Sequence, residues 1–258
     1  LLKACGTPSK SILFNIDQKS DAITTKQTDA LLSVFVKVFD EMCGYYGKQG
    51  YIAQFERDLD SRGLYEKFKD AFQNISKKAW DKGRTQAILE GRNIAKAYAE
   101  VSGEPVETAN GIIDKYRKDY NLSIEDFAKM IKSYIDKQSK GFRLNFFVDE
   151  VGQYIADNTQ LMLNLQSLAE ELATVCRGQA WIIVTAQEDM TSVFGEIGKK
   201  QGNDFSKIQA RFANRLKLTS ANVDEVIRKR LLAKKDDFVP QLNKIYAEQS
   251  NNFKTLFN

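Results

Sequence analysis

The chain has 258 residues, of which 43% are hydrophobic and 28% charged, and its formal net charge is +4. This balance is typical of a globular protein with one large domain or with a core and a smaller module, and so small a charge does not by itself indicate a nucleic-acid partner. Histidine is absent, which excludes Ser-His-Asp and Cys-His catalysis and every metal site that uses histidine.

The cysteines and the apolar runs indicate the expected cellular compartment and whether a membrane helix is expected. Cys5, Cys43 and Cys176 are scattered without a Cys-x-x-Cys pair, which argues against a disulfide framework or a zinc ribbon and favours a reducing cytoplasm. The longest apolar run falls short of the roughly 18 residues of a membrane helix, so we expect no membrane association. Because the sequence starts at Leu1 and not at methionine, we expect it to be an internal piece of a longer protein.

The sequence pattern of the first half of the chain predicts one strand followed by helices. Residues 10–17 form an apolar run with a polar end, which predicts a buried strand, and apolar residues recur at helical spacing over 30–42. From about 48 to 140 the pattern is almost wholly helical. Within it, Ser123 and Asp126 form a capping-box-like pair that predicts the start of a further helix.

The second half alternates strands and helices. Residues 144–148 and 181–185 are two further apolar runs that lead into polar residues, and a predicted helix over 161–175 separates them. Residues 216–218 are a candidate for another short strand. Because apolar strands alternate with amphipathic helices, the pattern predicts an α/β fold with a parallel sheet.

The predicted core is interrupted by a long segment. Its strands fall in residues 1–47 and 142–220, and the intervening 48–141 is far longer than a minimal crossover between two parallel strands. We interpret residues 48–141 as a large helical insertion, where we expect a partner contact, and residues 221–258 as C-terminal helices.

An acidic doublet follows the second apolar run. Asp149 and Glu150 come directly after residues 144–148, which is the order of a Walker B element in P-loop NTPases. Ligands bind beyond the carboxyl ends of parallel strands, so the first carboxylate would hold Mg²⁺, usually through water, and the second would polarise the attacking water. The alternative is a buried strand whose polar end simply reaches solvent.

The third apolar run and the basic segment after it supply further candidates. Thr185 or Gln187 would be a polar sensor of the nucleotide phosphate, as on the strand beside Walker B in AAA+-like ATPases. Arg211 and Arg215 are four apart and would share a helical face, where an arginine fork can bind phosphate or complete a neighbouring subunit's site. Residues 195–235 carry 11 Lys+Arg against four Asp+Glu. One interpretation of this basic segment is nucleotide or DNA binding, and the other is a solvated basic helix.

A phosphate loop is missing from the sequence. The nearest match to G-x-x-x-x-G-K-S/T lies at 6–11, but Ser9 replaces the glycine before the lysine, and a strand follows where a helix should begin. We interpret this segment as a decoy and predict weak or absent nucleotide binding by this piece alone.

Four segments carry a resemblance to a known family: residues 11–19, 35–47, 145–155 and 181–190. They resemble the BrxC/PglY family of P-loop proteins from bacterial BREX anti-phage systems, and the likeness spans nearly the whole chain. Its most distinctive part is the Asp-Glu-Val-Gly-Gln-Tyr-Ile run that begins at Asp149.

The resemblance implies a large cytoplasmic ATPase with an AAA+-like core that uses ATP and Mg²⁺, works with other BREX components and acts on DNA directly or indirectly. It is also compatible with a homo-oligomer. It implies a Walker A motif before Leu1. It also implies that Asp149 is the magnesium-side carboxylate, Glu150 the catalytic one, and Thr185 or Gln187 the sensor. Two other functions stay open: a scaffold with a degenerate NTPase fold, and a helical DNA-binding module.

Overall fold

Among the residues that the computed structural model describes, three parallel strands form a sheet. They are β1 (Ser9–Asn15), β2 (Arg143–Asp149) and β3 (Ala180–Val184), in the spatial order β1-β2-β3. The prediction of an α/β fold with a parallel sheet is therefore confirmed. The structure describes residues 6–16, 30–151, 159–185, 212, 214 and 223–255.

The helices between the strands are numerous. In chain order after β1 they are α1 (Ala30–Cys43), α2 (Gly50–Ser61), α3 (Tyr65–Ser76), α4 (Trp80–Gly83), a 3₁₀ turn at Arg84–Gln86, α5 (Gly91–Ser102), α6 (Val106–Ala109), α7 (Ile112–Asp119) and α8 (Ile124–Asp136). Helix α9 (Thr159–Cys176) links β2 to β3. None of the described helices is both long enough and apolar enough to cross a bilayer.

The two faces of the sheet differ in their cover. Ile12, Phe14 and Phe146 point to one face and are buried, because α1, α8 and α9 pack there. On the opposite face Leu13 lies beside Phe147 in the register, and these two side chains are 78% and 37% exposed. The face that carries Leu13 and Phe147 is called the open face below.

Aromatic contacts hold the covered face together. The ring of Phe35 in α1 packs edge to face against Phe14, with the ring centroids 5.3 Å apart, and its centroid lies 5.4 Å from that of Phe146. Helix α8 contributes Phe127 to the same core, although the sequence pattern placed it with the helical insertion. Its start has the predicted capping box, in which Ser123 Oγ accepts from the Asp126 backbone N–H at 3.1 Å.

Helices α2 to α7 build a second hydrophobic core of their own, called the helical cluster below. Its centre is a group of buried rings, in which Phe68 lies 5.2 Å from Phe55 and 5.0 Å from Trp80. This core is distinct from the one that covers the sheet, and the interpretation of residues 48–141 as an insertion stays a prediction.

A buried carboxylate ties the helical cluster together. Glu56 is fully buried and accepts hydrogen bonds from the Tyr46 backbone N–H at 2.6 Å, the Tyr65 hydroxyl at 2.9 Å and the Trp80 indole N–H at 2.7 Å. Arg84 adds an ion pair at 3.2 Å. Burying an unpaired carboxylate costs on the order of several kcal/mol in desolvation free energy, and the four donors around Glu56 offset this cost.

A second buried ion pair joins the helical cluster to α1. Arg57 of α2 donates to Asp40 Oδ1 at 2.5 Å, while Asp40 Oδ2 is buried and has no partner among the described residues. Burial outweighs the neighbouring guanidinium and raises the pKa of Asp40 to about 6. This contact lies where α1, which also packs on the sheet, meets α2.

The chain divides into two compact units, Leu1–Phe212 and Ala213–Asn258. The second contains α10 (Val223–Arg230), a 3₁₀ turn at Asp236–Phe238 and α11 (Val239–Thr255). The predicted C-terminal helices over 221–258 correspond to these elements. The candidate strand at 216–218 lies outside the described residues.

Candidate functional site

Polar side chains collect at the carboxyl edge of the sheet, where the three parallel strands end together. Asn15 is the register partner of Asp149, and Thr185 directly follows β3. The backbone N–H of Thr185 donates to the Val148 carbonyl at 3.0 Å, and that of Val151 donates to the Thr185 carbonyl at 3.1 Å. These bonds extend the β2–β3 pairing beyond the strands and fix Thr185 next to Asp149.

Asp149 is held by two donors. The Thr185 hydroxyl donates to Asp149 Oδ1, and the backbone N–H of Glu150 donates to the same oxygen at 3.1 Å. Side chains alternate along a strand, so Asp149 lies on the open face with Phe147 and is exposed to solvent. An exposed carboxylate oriented in this way can accept a hydrogen bond from a metal-bound water.

Glu150 adopts a left-handed backbone conformation with φ 61°, which is uncommon for a residue other than glycine. Strict alternation would direct its side chain to the covered face, like that of Val148. The left-handed turn instead allows the Glu150 carboxylate to accept from the Asn15 side-chain amide. Strain of this kind concentrates at functional sites, and it is present at the candidate catalytic residue.

The oxygen donors at this edge are of the type that hard cations such as Mg²⁺, Ca²⁺ and Mn²⁺ prefer. Within the described part of the chain, no group of three His, Cys, Asp or Glu side chains is placed to hold a metal ion unaided. Mg²⁺ keeps several waters and takes one or two carboxylates together with substrate phosphates. Asp149, with Glu150 beside it, could supply one or two carboxylates of this kind.

The sequence-predicted residues divide into two groups. The structure brings together Asp149, Glu150 and Thr185. Gln187, Arg211 and Arg215 lie outside the described residues, so their predicted roles stay predictions.

Two other predicted segments are partly described. Ser9 and the lysine and serine after it are part of β1, so residues 6–11 do not form the loop and helix start of a phosphate site. Of the basic stretch at 195–235, α10 carries the exposed Arg228, Lys229 and Arg230 at its end, and Lys229 pairs with Glu225 at 2.6 Å.

Asn15 is the residue of this edge that the sequence did not single out. Its only signal is that a polar side chain follows the apolar run of β1. Its relevance depends on β1 lying directly beside β2, and 135 residues separate Asn15 from Glu150 in the chain.

Comparison with known proteins adds no family. No family model matches the chain, and no solved structure matches it significantly. The geometry of the carboxyl edge is therefore the main support for a function.

Proposed function

We propose that this chain is part of the core of an ATP-hydrolysing P-loop enzyme with an AAA+-like sheet. The observation that supports this most is the hydrogen bond from the Thr185 hydroxyl to Asp149, which joins the ends of two adjacent parallel strands. A Walker B carboxylate next to the polar tip of a neighbouring strand has this arrangement, at the edge where α/β sheets bind ligands.

The proposed roles follow from the positions of the side chains. Asp149 would help to hold Mg²⁺ that binds with the nucleotide, and the ion would neutralise charge on the phosphates. Glu150 orients the attacking water and takes its proton. Asn15 holds the Glu150 carboxylate. The Thr185 hydroxyl donates its single proton to Asp149 in this structure, and as the sensor it would turn that proton to the terminal phosphate.

The wider biological setting is a further part of this proposal. The resemblance of residues 145–155 and 181–190 to the BrxC/PglY family supports a cytoplasmic ATPase of a BREX anti-phage system that works with other BREX components and with DNA. In an assembled homo-oligomer, Arg211 or Arg215 would serve a neighbouring subunit's nucleotide.

The test uses a longer polypeptide that also supplies a phosphate loop, with Mg²⁺-ATP turnover and nucleotide affinity measured separately. Glu150→Gln should reduce turnover by about a hundredfold or more while nucleotide binding is retained, since only the proton acceptor is lost. Thr185→Val should reduce turnover less. Glu125→Gln, an exposed carboxylate at the start of α8, is the matched control and should change neither quantity.

Two outcomes would reject the proposal. Equal hydrolysis by the Glu150→Gln protein would remove Glu150 from catalysis. Absence of both turnover and nucleotide binding in the longer polypeptide would favour the scaffold reading of the fold.

A further inference from the structure

The helical cluster presents two adjacent aliphatic side chains to solvent. Ile88 and Leu89 are 63% and 83% exposed, while their neighbours Ala87 and Glu90 are buried. They lie in the turn between the 3₁₀ segment Arg84–Gln86 and α5. Single exposed aliphatics are common on protein surfaces, but an adjacent pair on one turn forms a small projecting apolar surface.

Hydrogen bonds to the buried Glu90 and within the backbone hold this turn in place. The Glu90 carboxylate accepts from Ser76 Oγ at 2.9 Å, Lys78 Nζ at 2.6 Å and Asn93 Nδ2 at 2.7 Å, and these bonds hold the pKa of Glu90 below its usual value. The backbone N–H of Leu89 donates to the Gln86 carbonyl at 2.9 Å. Because the turn is already ordered, a partner that binds it has little conformational entropy to remove.

Positively charged residues flank the pair in the sequence. Exposed basic residues lie on both sides of it in the chain, namely Lys77, Lys82, Arg92 and Lys96, and none of them is in an ion pair with a described residue. The two acidic residues of the same segment are already engaged, since Asp81 pairs with Arg84 and Glu90 pairs with Lys78. The Glu90 bonds to Ser76 and Lys78 bring the end of α3 next to this turn.

We propose that Ile88 and Leu89, with the exposed basic side chains that flank them in the chain, form a docking surface for an acidic amphipathic helix of a partner protein. Such a helix offers both things the surface lacks: an apolar face for the two aliphatic side chains and carboxylates for the unpaired cations. A DNA duplex would satisfy the cations but leave the aliphatics in water. A bilayer would bury the aliphatics, but two side chains are a small anchor. The proposal is independent of the ATPase assignment.

The test measures binding of labelled probes to the full chain by fluorescence polarisation. The probe is a synthetic helical peptide of leucine, alanine and glutamate with one leucine face. Its comparators are the same peptide with lysine in place of glutamate, a short DNA duplex, and vesicles of phosphatidylcholine and phosphatidylglycerol. Variant pairs are Ile88→Ser with Leu89→Ser, and Arg92→Glu with Lys96→Glu. Val106→Ser and Lys118→Glu, exposed elsewhere on the helical cluster, are controls.

We expect the glutamate peptide to bind more tightly than the lysine peptide, and each variant pair to weaken it by about tenfold or more, with the controls unchanged. All altered side chains are exposed, so the variants should keep the native circular dichroism. Absence of peptide binding, or peptide binding that the variant pairs do not affect, overturns the proposal. Binding of DNA or vesicles that depends on the same four residues overturns it in favour of that partner.

Discussion

Alanine usually stabilises a protein more than glycine at the same position. Because Glu150 has a left-handed backbone, we expect the opposite order of stability there. A non-glycine residue in this conformation is strained by about 1–2 kcal/mol. Glycine is free of that strain but has about 0.5–1 kcal/mol more unfolded-chain entropy to lose. Both Glu150→Gly and Glu150→Ala delete the bond to Asn15, so comparing these two variants isolates the backbone term.

We expect the Glu150→Gly protein to be more stable than the Glu150→Ala protein by roughly 0.5–1 kcal/mol. Urea unfolding followed by tryptophan fluorescence suits the measurement, because Trp181 lies in the sheet and Trp80 in the helical cluster. Lys129, exposed in the middle of α8, is the matched control; there glycine should be less stable than alanine by about 1 kcal/mol.

The same pair of variants separates stability from activity. In the longer polypeptide, both Glu150→Gly and Glu150→Ala should lose ATP turnover, although the glycine protein is the more stable of the two. A Glu150→Gly protein that is less stable than Glu150→Ala by the margin seen at Lys129 would refute the strain argument.

Two further predictions concern buried carboxylates. Glu56→Gln should lower the free energy of unfolding by about 3–5 kcal/mol, because an amide cannot accept from all four donors and leaves Arg84 with only the exposed Asp81 as an ion-pair partner. The exposed Glu66→Gln should change it by less than about 0.5 kcal/mol, and a loss at Glu56 as small as this would contradict the arrangement. Asp40 has a pKa raised from 3.8 to about 6, so the native state binds its proton more tightly than the unfolded chain. Its contribution to stability is therefore complete below about pH 4 and is lost as pH rises through 6, by about 3 kcal/mol. Asp40→Asn should flatten this part of the pH–stability curve, and an unchanged slope would count against it.

Much of the sheet was predictable because its strands are short apolar runs with polar ends. The rule that parallel strands end at one edge was enough to place Asp149, Glu150 and Thr185 together. The order of β1 and β2 was not predictable in this way, because it is a pairing between segments far apart in the chain. Asn15 was missed for that reason.

Other features depend on tertiary packing that local pattern does not encode. The positive φ of Glu150 follows from where its side chain must point. The membership of α8 in the sheet core follows from packing against α1 and α9. The burial of Glu56 could have been predicted from the sequence. Glu56 lies between Phe55 and Leu59 on the apolar stripe of α2, where a charged side chain must be buried and paired.

The pleat of the sheet has a consequence for how this region tolerates sequence change. Asn15, Asp149 and Thr185 share the open face only because each strand keeps its side-chain alternation. Deleting or inserting one residue within β2 would move Asp149 to the helix-covered side and bring Phe146 into water. Homologues should therefore vary in amino-acid type along these strands while keeping their lengths, and indels should fall in the connecting segments.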